Sequence, residues 1–133
     1  MLCVYCGGDT QVINSRLQKR VNNVWRRRKC PGCGAIFSTT ESPDASQALT
    51  IRKDKQLSPF VRDNLFISVY DSLKHRKDAL NEATALTATI VSNLYPLAEA
   101  AVIDRAVVVT ITSTILGRYD KVAATHYAAF HPL

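Results

Sequence analysis

Cys3-Val4-Tyr5-Cys6-Gly7-Gly8 and Arg26-Arg27-Arg28-Lys29-Cys30-Pro31-Gly32-Cys33-Gly34 decide the reading of this chain. They hold all four of its cysteines, in two Cys-x-x-Cys pairs. Such a turn lets two sulfurs reach one ion, and the glycines behind each pair allow close backbone approach and positive φ. Cys3, Cys6, Cys30 and Cys33 therefore suit one tetrahedral metal. Zinc is the expected ion, with iron held by four thiolates as the remote alternative. Disulfides are the competing use. Met1-Leu2-Cys3 runs into the first knuckle without the apolar stretch of a secretory signal, so a reducing, cytoplasmic setting is expected, and there disulfides are rare. A redox role would use a single Cys-x-x-Cys in a βαβ setting.

Four thiolates fill the tetrahedron and leave no open position for water or substrate, so the metal is expected to be structural. None of His75, His126 and His131 lies near a knuckle, and each is read as a surface or helix-end residue. A segment of about forty residues buries too little to fold alone. Zinc binding supplies on the order of 10–16 kcal/mol toward that folding.

Charge is unevenly placed along the 133 residues. Residues 1–41 carry seven Lys/Arg against Asp9 and Glu41, a net +5, whereas residues 42–133 carry ten against nine. Zinc with four thiolates contributes −2, leaving the first segment at about +3. Three consecutive arginines inside a metal-stiffened segment suit a phosphate backbone better than a merely solvated surface. Arg16, Arg26, Arg27, Arg28 and Lys29 are the candidate DNA-contacting residues. Four neutralised phosphates per ribbon would give a salt slope of roughly −3.6 on B-DNA.

No apolar run is long enough to span a bilayer, so a soluble protein is expected. Enzymatic chemistry is disfavoured as well. No cysteine is left as a nucleophile, no Walker-type glycine loop is present, and His and carboxylates are scattered without a recognisable pairing.

Val12–Arg16 reads as a strand, Asn22-Asn23 as a turn, Val24–Lys29 as a second strand and Ala35–Thr40 as a third. Knuckle, hairpin, knuckle and strand make a zinc ribbon. Alternation sets Val24, Arg26 and Arg28 on one face and Trp25, Arg27 and Lys29 on the other. Trp25 is read as packed beside the metal site, with stacking on a base or sugar as the alternative. Residues 43–48, Pro43-Asp44-Ala45-Ser46-Gln47-Ala48, read as a linker between a 1–42 ribbon domain and a 49–133 domain. There, Leu49–Lys55 suggests a strand running into a turn, with a short return to Phe60.

Helix signals start near Ser58-Pro59, with Asp63 in the first turn, and end around Lys74-His75-Arg76-Lys77, whose cations complement the helix dipole. A second helix is expected from about Leu80 to Asn93, with Leu86, Ile90, Val91 and Leu94 inward. Pro96 ends that region, Ala100–Ile103 forms a short strand and Asp104 is an N-cap. Val107–Ile115 is ambiguous, because its β-branched residues favour strand. Leu116-Gly117 reads as a stop, and Asp120 as the cap of a last helix reaching Phe130. The fold class is α+β: a four-cysteine ribbon of short antiparallel strands, then a helical domain with a small sheet.

These residues resemble the NrdR family, bacterial transcriptional repressors of ribonucleotide reductase genes that join a zinc ribbon to an ATP-cone. The resemblance rests on Cys3/Cys6, Val12-Ile13-Asn14-Ser15-Arg16, the Arg26–Lys29 run, Cys30/Cys33-Gly34 and Phe37-Ser38-Thr39-Thr40-Glu41, in order and in spacing. Further on, Thr50-Ile51-Arg52-Lys53-Asp54-Lys55 and Pro59-Phe60 occupy the family's cone entry motif, and Tyr119–Ala128 fits its closing motif. The resemblance implies helix for Val107–Ile115. It also implies ATP or dATP as effectors, with Arg52, Lys53 and Lys55 as nucleotide contacts, homo-oligomers whose size follows the nucleotide, and paired operator sites on double-stranded DNA in the bacterial nucleoid.

The chain departs from the family pattern at four positions. Lys55 replaces a glycine, Asn64 a helix lysine, Ala124 a tyrosine and His126 an arginine. Asn64, Ala124 and His126 motivate a second reading: an interaction module whose ribbon docks on protein or RNA and whose degenerate cone binds no nucleotide.

Overall fold

A computed structural model describes residues 1–132. The chain divides into two compact units, Met1–Pro43 and Asp44–Leu133. The first unit is one antiparallel sheet in the order β1-β2-β3, formed by Gln11–Gln18, Asn23–Lys29 and Ile36–Glu41. Asn22 takes a φ of +49° in the turn between β1 and β2, a conformation that asparagine tolerates better than most residues. A bulge at Ile13 shifts the register, so that Val12 lies opposite Arg28 and Asn14 opposite Arg27. The only buried residues described in this unit are Cys3 and Cys30. A sheet without an apolar core has nothing but its thiolate corner to hold it, which is the physical case for a metal staple.

The second unit has a proper core. Residues expected as linker instead form a one-turn helix, α1 (Ala45–Ala48), capped by the Asp44 carboxylate, which accepts from the Ser46 N–H at 3.0 Å. Ala45 and Leu49 are buried in the core of this unit. The strands β4 (Thr50–Lys53) and β5 (Gln56–Pro59) form a hairpin, and β6 (Val102–Asp104) joins β4 in parallel, giving the order β5-β4-β6. Ala100 and Ala101 hold positive φ just before β6, so that strand starts two residues later than expected. Among the described residues, four α-helices and a 3-10 turn (Tyr95–Leu97) complete the unit: α2 (Arg62–Leu73), α3 (Ala79–Leu94), α4 (Arg105–Tyr119) and α5 (Lys121–Phe130).

Two boundaries differ from the sequence reading, at the start of α2 and at Gly117. Ser58 and Pro59 pair with Ile51 and Thr50, and α2 begins at Arg62. Val107–Ile115 is helical, as the resemblance implied, despite its β-branched residues. Val109, Thr112 and Leu116 recur at helical spacing and are buried, while the hydroxyls of Thr110, Thr112 and Thr114 donate to the carbonyls four residues back. Gly117 does not stop α4. The helix runs on to Tyr119, and a Cβ at Gly117 would make only an ordinary contact, 3.8 Å, with that of Ala124. Asp120 then caps α5, accepting from the Ala123 N–H at 3.0 Å.

The cations at the end of α2 are also used differently from expectation. Arg76 forks to Glu82 and to Asp120, and His75 Nε2 lies 2.9 Å from the same Asp120 oxygen. The N–H of Ala123, followed by His75 and Arg76, holds the Asp120 carboxyl well below the usual carboxylate range. This network ties the α2–α3 connection to the α4–α5 junction.

Candidate metal centre, nucleic-acid face and effector cavity

The two knuckles repeat one backbone pattern. The Cys3 carbonyl accepts from the Gly7 N–H at 3.0 Å, and the Cys30 carbonyl accepts from the Gly34 N–H at 2.9 Å. Each first cysteine also donates its own N–H five residues on, to Gly8 and to Ala35. Gly7 and Gly34 take φ of +75° and +74°, which explains glycine at both places. The four Sγ atoms lie within 4.8 Å of one another, with Cys3–Cys33 at 3.7 Å and Cys6–Cys30 at 3.5 Å. A tetrahedral zinc with sulfur at about 2.3 Å puts neighbouring sulfurs about 3.8 Å apart, so the donor set fits that ion.

The local backbone prepares the thiolates unequally. N–H groups of Tyr5 and Cys6 lower the Cys3 thiol to about 7, and the N–H of Cys33 lowers Cys30. Cys33 is pulled down by the Ala35 N–H, but burial and the neighbouring thiols outweigh it and push it up to about 12. A cation arriving at this corner must displace that last proton, so metal affinity rises with pH.

The sheet separates the basic cluster. Directly paired residues share a face, which groups Val24, Arg26 and Arg28 with Leu17, Ser15 and Val12 on β1 and with Glu41, Thr39 and Phe37 on β3. On this face the cations are engaged. Arg26 Nη1 donates to Glu41 at 2.6 Å, and Arg28 donates to Thr39 and to Thr10 at 3.3 and 3.4 Å. Phe37 meets Tyr5 edge-on. The opposite face carries Arg16, Trp25, Arg27 and Lys29 with Gln11, Asn14, Ile36, Ser38 and Thr40, and no carboxylate. Arg27 and Lys29 are exposed and make no ion pair among the described residues. Arg16 lies over the Trp25 ring, 5.8 Å from its centroid. Trp25 sits opposite Arg16 and Thr40, toward the hairpin end of the sheet and not beside the thiols, because Lys29 and not Trp25 precedes Cys30.

Of the phosphate contacts expected in the second unit, Arg52 is already engaged by a carboxylate. Arg52 gives both of its donors to Asp104, Nε to Oδ1 at 2.6 Å and Nη2 to Oδ2 at 3.1 Å, across the parallel β4–β6 pair. That pairing raises Arg52 and lowers Asp104 from their ordinary values. Asp104 holds the N-cap position of α4 as expected, yet its carboxylate does not cap the helix.

A cavity of about 280 Å³ lies on the other side of β4, lined by Ile51, Ser58, Phe60 and Val61, by Asn64, Leu65 and Ser68 of α2, by Arg105, Val108 and Val109 of α4, and by Tyr127 and His131. Arg52 is not among its walls. Lys53 shares the strand face of Ile51 by alternation, and Lys53 and Lys55 are both exposed. Of the departures from the family pattern, only Asn64 lines this cavity. Ala124 packs near Gly117, and His126 meets Phe130 at a tilt, 4.8 Å between ring centres, beside a second hollow. Arg105, which follows Asp104, is the cavity's permanent cation. Sequence reading passed over it, although a basic residue opening a helix straight after a strand was a signal in plain view.

A closed four-cysteine ribbon with a cationic sheet face, followed by a hairpin-and-helix unit with an open cavity, defines a two-domain zinc-ribbon protein. Residues 1–41 match the family described as transcriptional repressor NrdR-like, N-terminal domain. Similarity continues past the ribbon. A transcriptional repressor NrdR 3 of Paramagnetospirillum magneticum is 32% identical over 132 residues, covering 98% of this chain and 86% of the relative. A transcriptional repressor NrdR of Neisseria meningitidis serogroup B is 32% identical, covering 98% and 85%. That of Methylobacterium nodulans is 31% identical, covering 98% and 68%. The chain belongs to the NrdR family of transcriptional repressors. No helix among the described residues is long and apolar enough to cross a membrane.

Proposed function

We propose that the chain represses transcription by laying the Arg16–Trp25–Arg27–Lys29 face of its zinc ribbon on double-stranded promoter DNA, and that an adenine nucleotide in the second unit sets how protomers assemble. The observation that carries the DNA reading is the one-sided charge of the sheet: one face offers cations without a carboxylate, whereas the other spends Arg26 and Arg28 internally. Phosphate contacts give affinity, and one arginine reaching a guanine edge would add sequence preference. Trp25, held under Arg16, offers a flat surface to a sugar or base. Zinc holds the corner into which β2 runs.

A single ribbon has a small contact surface and binds weakly. Homo-oligomers would engage paired operator sites together, so that effective concentration supplies the remaining affinity. ATP and dATP are the effector pair that family membership suggests, and their differential binding to two assembly states would be the switch. Operators at ribonucleotide reductase genes would close a feedback loop on deoxynucleotide supply, in the bacterial cytoplasm at the nucleoid. The role is regulatory and not enzymatic.

Calorimetry of the zinc-loaded chain with ATP and with dATP, followed by particle size in solution, tests the switch. Binding with a nucleotide-dependent size change is the expected result. Silence toward both, with DNA binding intact, would leave a constitutive DNA binder. Loss of DNA binding as well would favour a ribbon that docks on protein or RNA.

A further inference from the structure

We infer that Asn14 is a residue through which the ribbon reads DNA sequence, by setting its side-chain amide against the major-groove edge of one adenine. The inference rests on the DNA reading above and deepens it. The first ground is the bulge in β1. Val12 lies opposite Arg28 and Asn14 opposite Arg27, with Ile13 as the extra residue between them. Unbroken alternation from Val12 would keep Asn14 and Arg16 on the face of Arg28, and would turn Ser15 and Leu17 toward Arg27. The extra residue reverses that order, so Asn14 and Arg16 join Arg27 and Lys29. Bulges serve to re-aim side chains in this way next to working sites.

The second ground is position. Arg16 lies opposite Trp25, and Lys29 stands four residues further along β2. At about 3.3 Å per residue these two rows are roughly 13 Å apart, close to the major-groove width of about 12 Å. With the strands crossing the groove, the outer cations meet phosphates on its two sides. The row Asn14–Arg27–Ser38 then lies over the groove floor. The other amides of this face, Gln11, Gln18 and Asn23, sit in the outer rows or beyond them.

The third ground is chemistry. Asn14 is exposed, and its amide makes no hydrogen bond among the described residues. No carboxylate on this face occupies it. An amide offers one donor and one acceptor side by side. Adenine presents the matching pair at N6–H₂ and N7, whereas guanine presents two acceptors there. Asn14 is also neutral, so it selects a base and leaves the salt dependence to the cations.

The test uses the full zinc-loaded chain. Binding sites are selected from a randomised duplex library, and the enriched duplex is titrated by fluorescence anisotropy. Wild type should enrich an adenine position that Asn14→Ala leaves free to vary. On the enriched duplex Asn14→Ala should bind roughly 5- to 100-fold more weakly. Replacing that adenine by 7-deazaadenine, which lacks N7, should weaken wild type roughly 3- to 10-fold and leave Asn14→Ala nearly unchanged. On a mixed-sequence duplex Asn14→Ala should keep wild-type affinity and salt slope, which separates a lost base contact from a damaged ribbon. An adenine still required by Asn14→Ala, an equal 7-deazaadenine penalty in both proteins, or a wild type that enriches no adenine would overturn the inference and leave the DNA reading standing. No binding of wild type to either the library or the mixed duplex would remove both.

Discussion

Replacing Arg27 by Ala should flatten the salt dependence of DNA binding, and replacing Arg26 by Ala should not. The three cations of the exposed sheet face are Arg16, Arg27 and Lys29. Each phosphate neutralised on B-DNA contributes about −0.9 to the slope of log K against log salt, so one ribbon should show roughly −2.7. That is shallower than the value expected if the whole arginine run faced DNA. Between about 50 and about 200 mM salt this slope costs roughly 40-fold in affinity, and Arg27→Ala, at roughly −1.8, should cost only about 12-fold. Arg26 already spends its charge on Glu41 at 2.6 Å, on the opposite face. Its removal should leave the slope unchanged. Fluorescence anisotropy of a mixed-sequence duplex against the zinc-loaded chain measures all three slopes. Equal flattening by Arg26→Ala and Arg27→Ala, or a wild-type slope near zero, would refute the division of the sheet into a working face and an internal one.

Other consequences are as specific. Chelating the metal should unfold residues 1–43 and abolish DNA binding while the helical unit keeps its own cooperative melt, readable by circular dichroism at two wavelengths. A single concerted loss of all structure would contradict it. Thr87 is fully buried on α3 with a hydroxyl that finds no partner among the described residues, so Thr87→Val should raise stability by about 1 kcal/mol or more in urea titrations. A loss of stability would mean that the hydroxyl is satisfied. The folded state holds the Asp120 carboxyl below its unfolded value of about 3.9, so its contribution is fully present above that pH and fades as acid titrates it. Asp120→Asn should therefore lower stability at neutral pH and shrink the acid-induced loss below about pH 4, and an unchanged acid limb would exclude Asp120 as its source.

Local chemistry was legible wherever it was also local in space. The knuckles could be read because the cysteine spacing and the trailing glycines form a self-contained turn, and the ribbon strands followed from alternation on either side of Asn22-Asn23. The split of the arginine run was readable by parity, but its consequence was not. Only the register brings Glu41 and Thr39 beside Arg26 and Arg28. Long-range pairing also engages Arg52 in a way the sequence did not signal, because its partner Asp104 lies 52 residues away. Propensity failed on α4, where burial of Val109, Thr112 and Leu116 outweighs the strand preference of its valines and isoleucines. Gly117 read as a breaker, yet α4 runs through it to Tyr119 with the buried Leu116 beside it. Residues 43–48 read as linker by composition, and the small residues Ala45 and Ala48 gave no hint that this turn ends in a buried Leu49.

The side-chain resonances of the ribbon provide the most direct test of the central claim. Arginine Nε–H and the Trp25 indole N–H can be followed by nuclear magnetic resonance as a promoter duplex is added to the zinc-loaded chain. The signals of Arg16, Arg27 and Trp25 should move or broaden together, while those of Arg26 and Arg28 stay with their Glu41 and threonine partners. Movement of Arg26 and Arg28 with Arg16 and Arg27 unaffected, or no movement of any ribbon side chain, would contradict DNA recognition by this face.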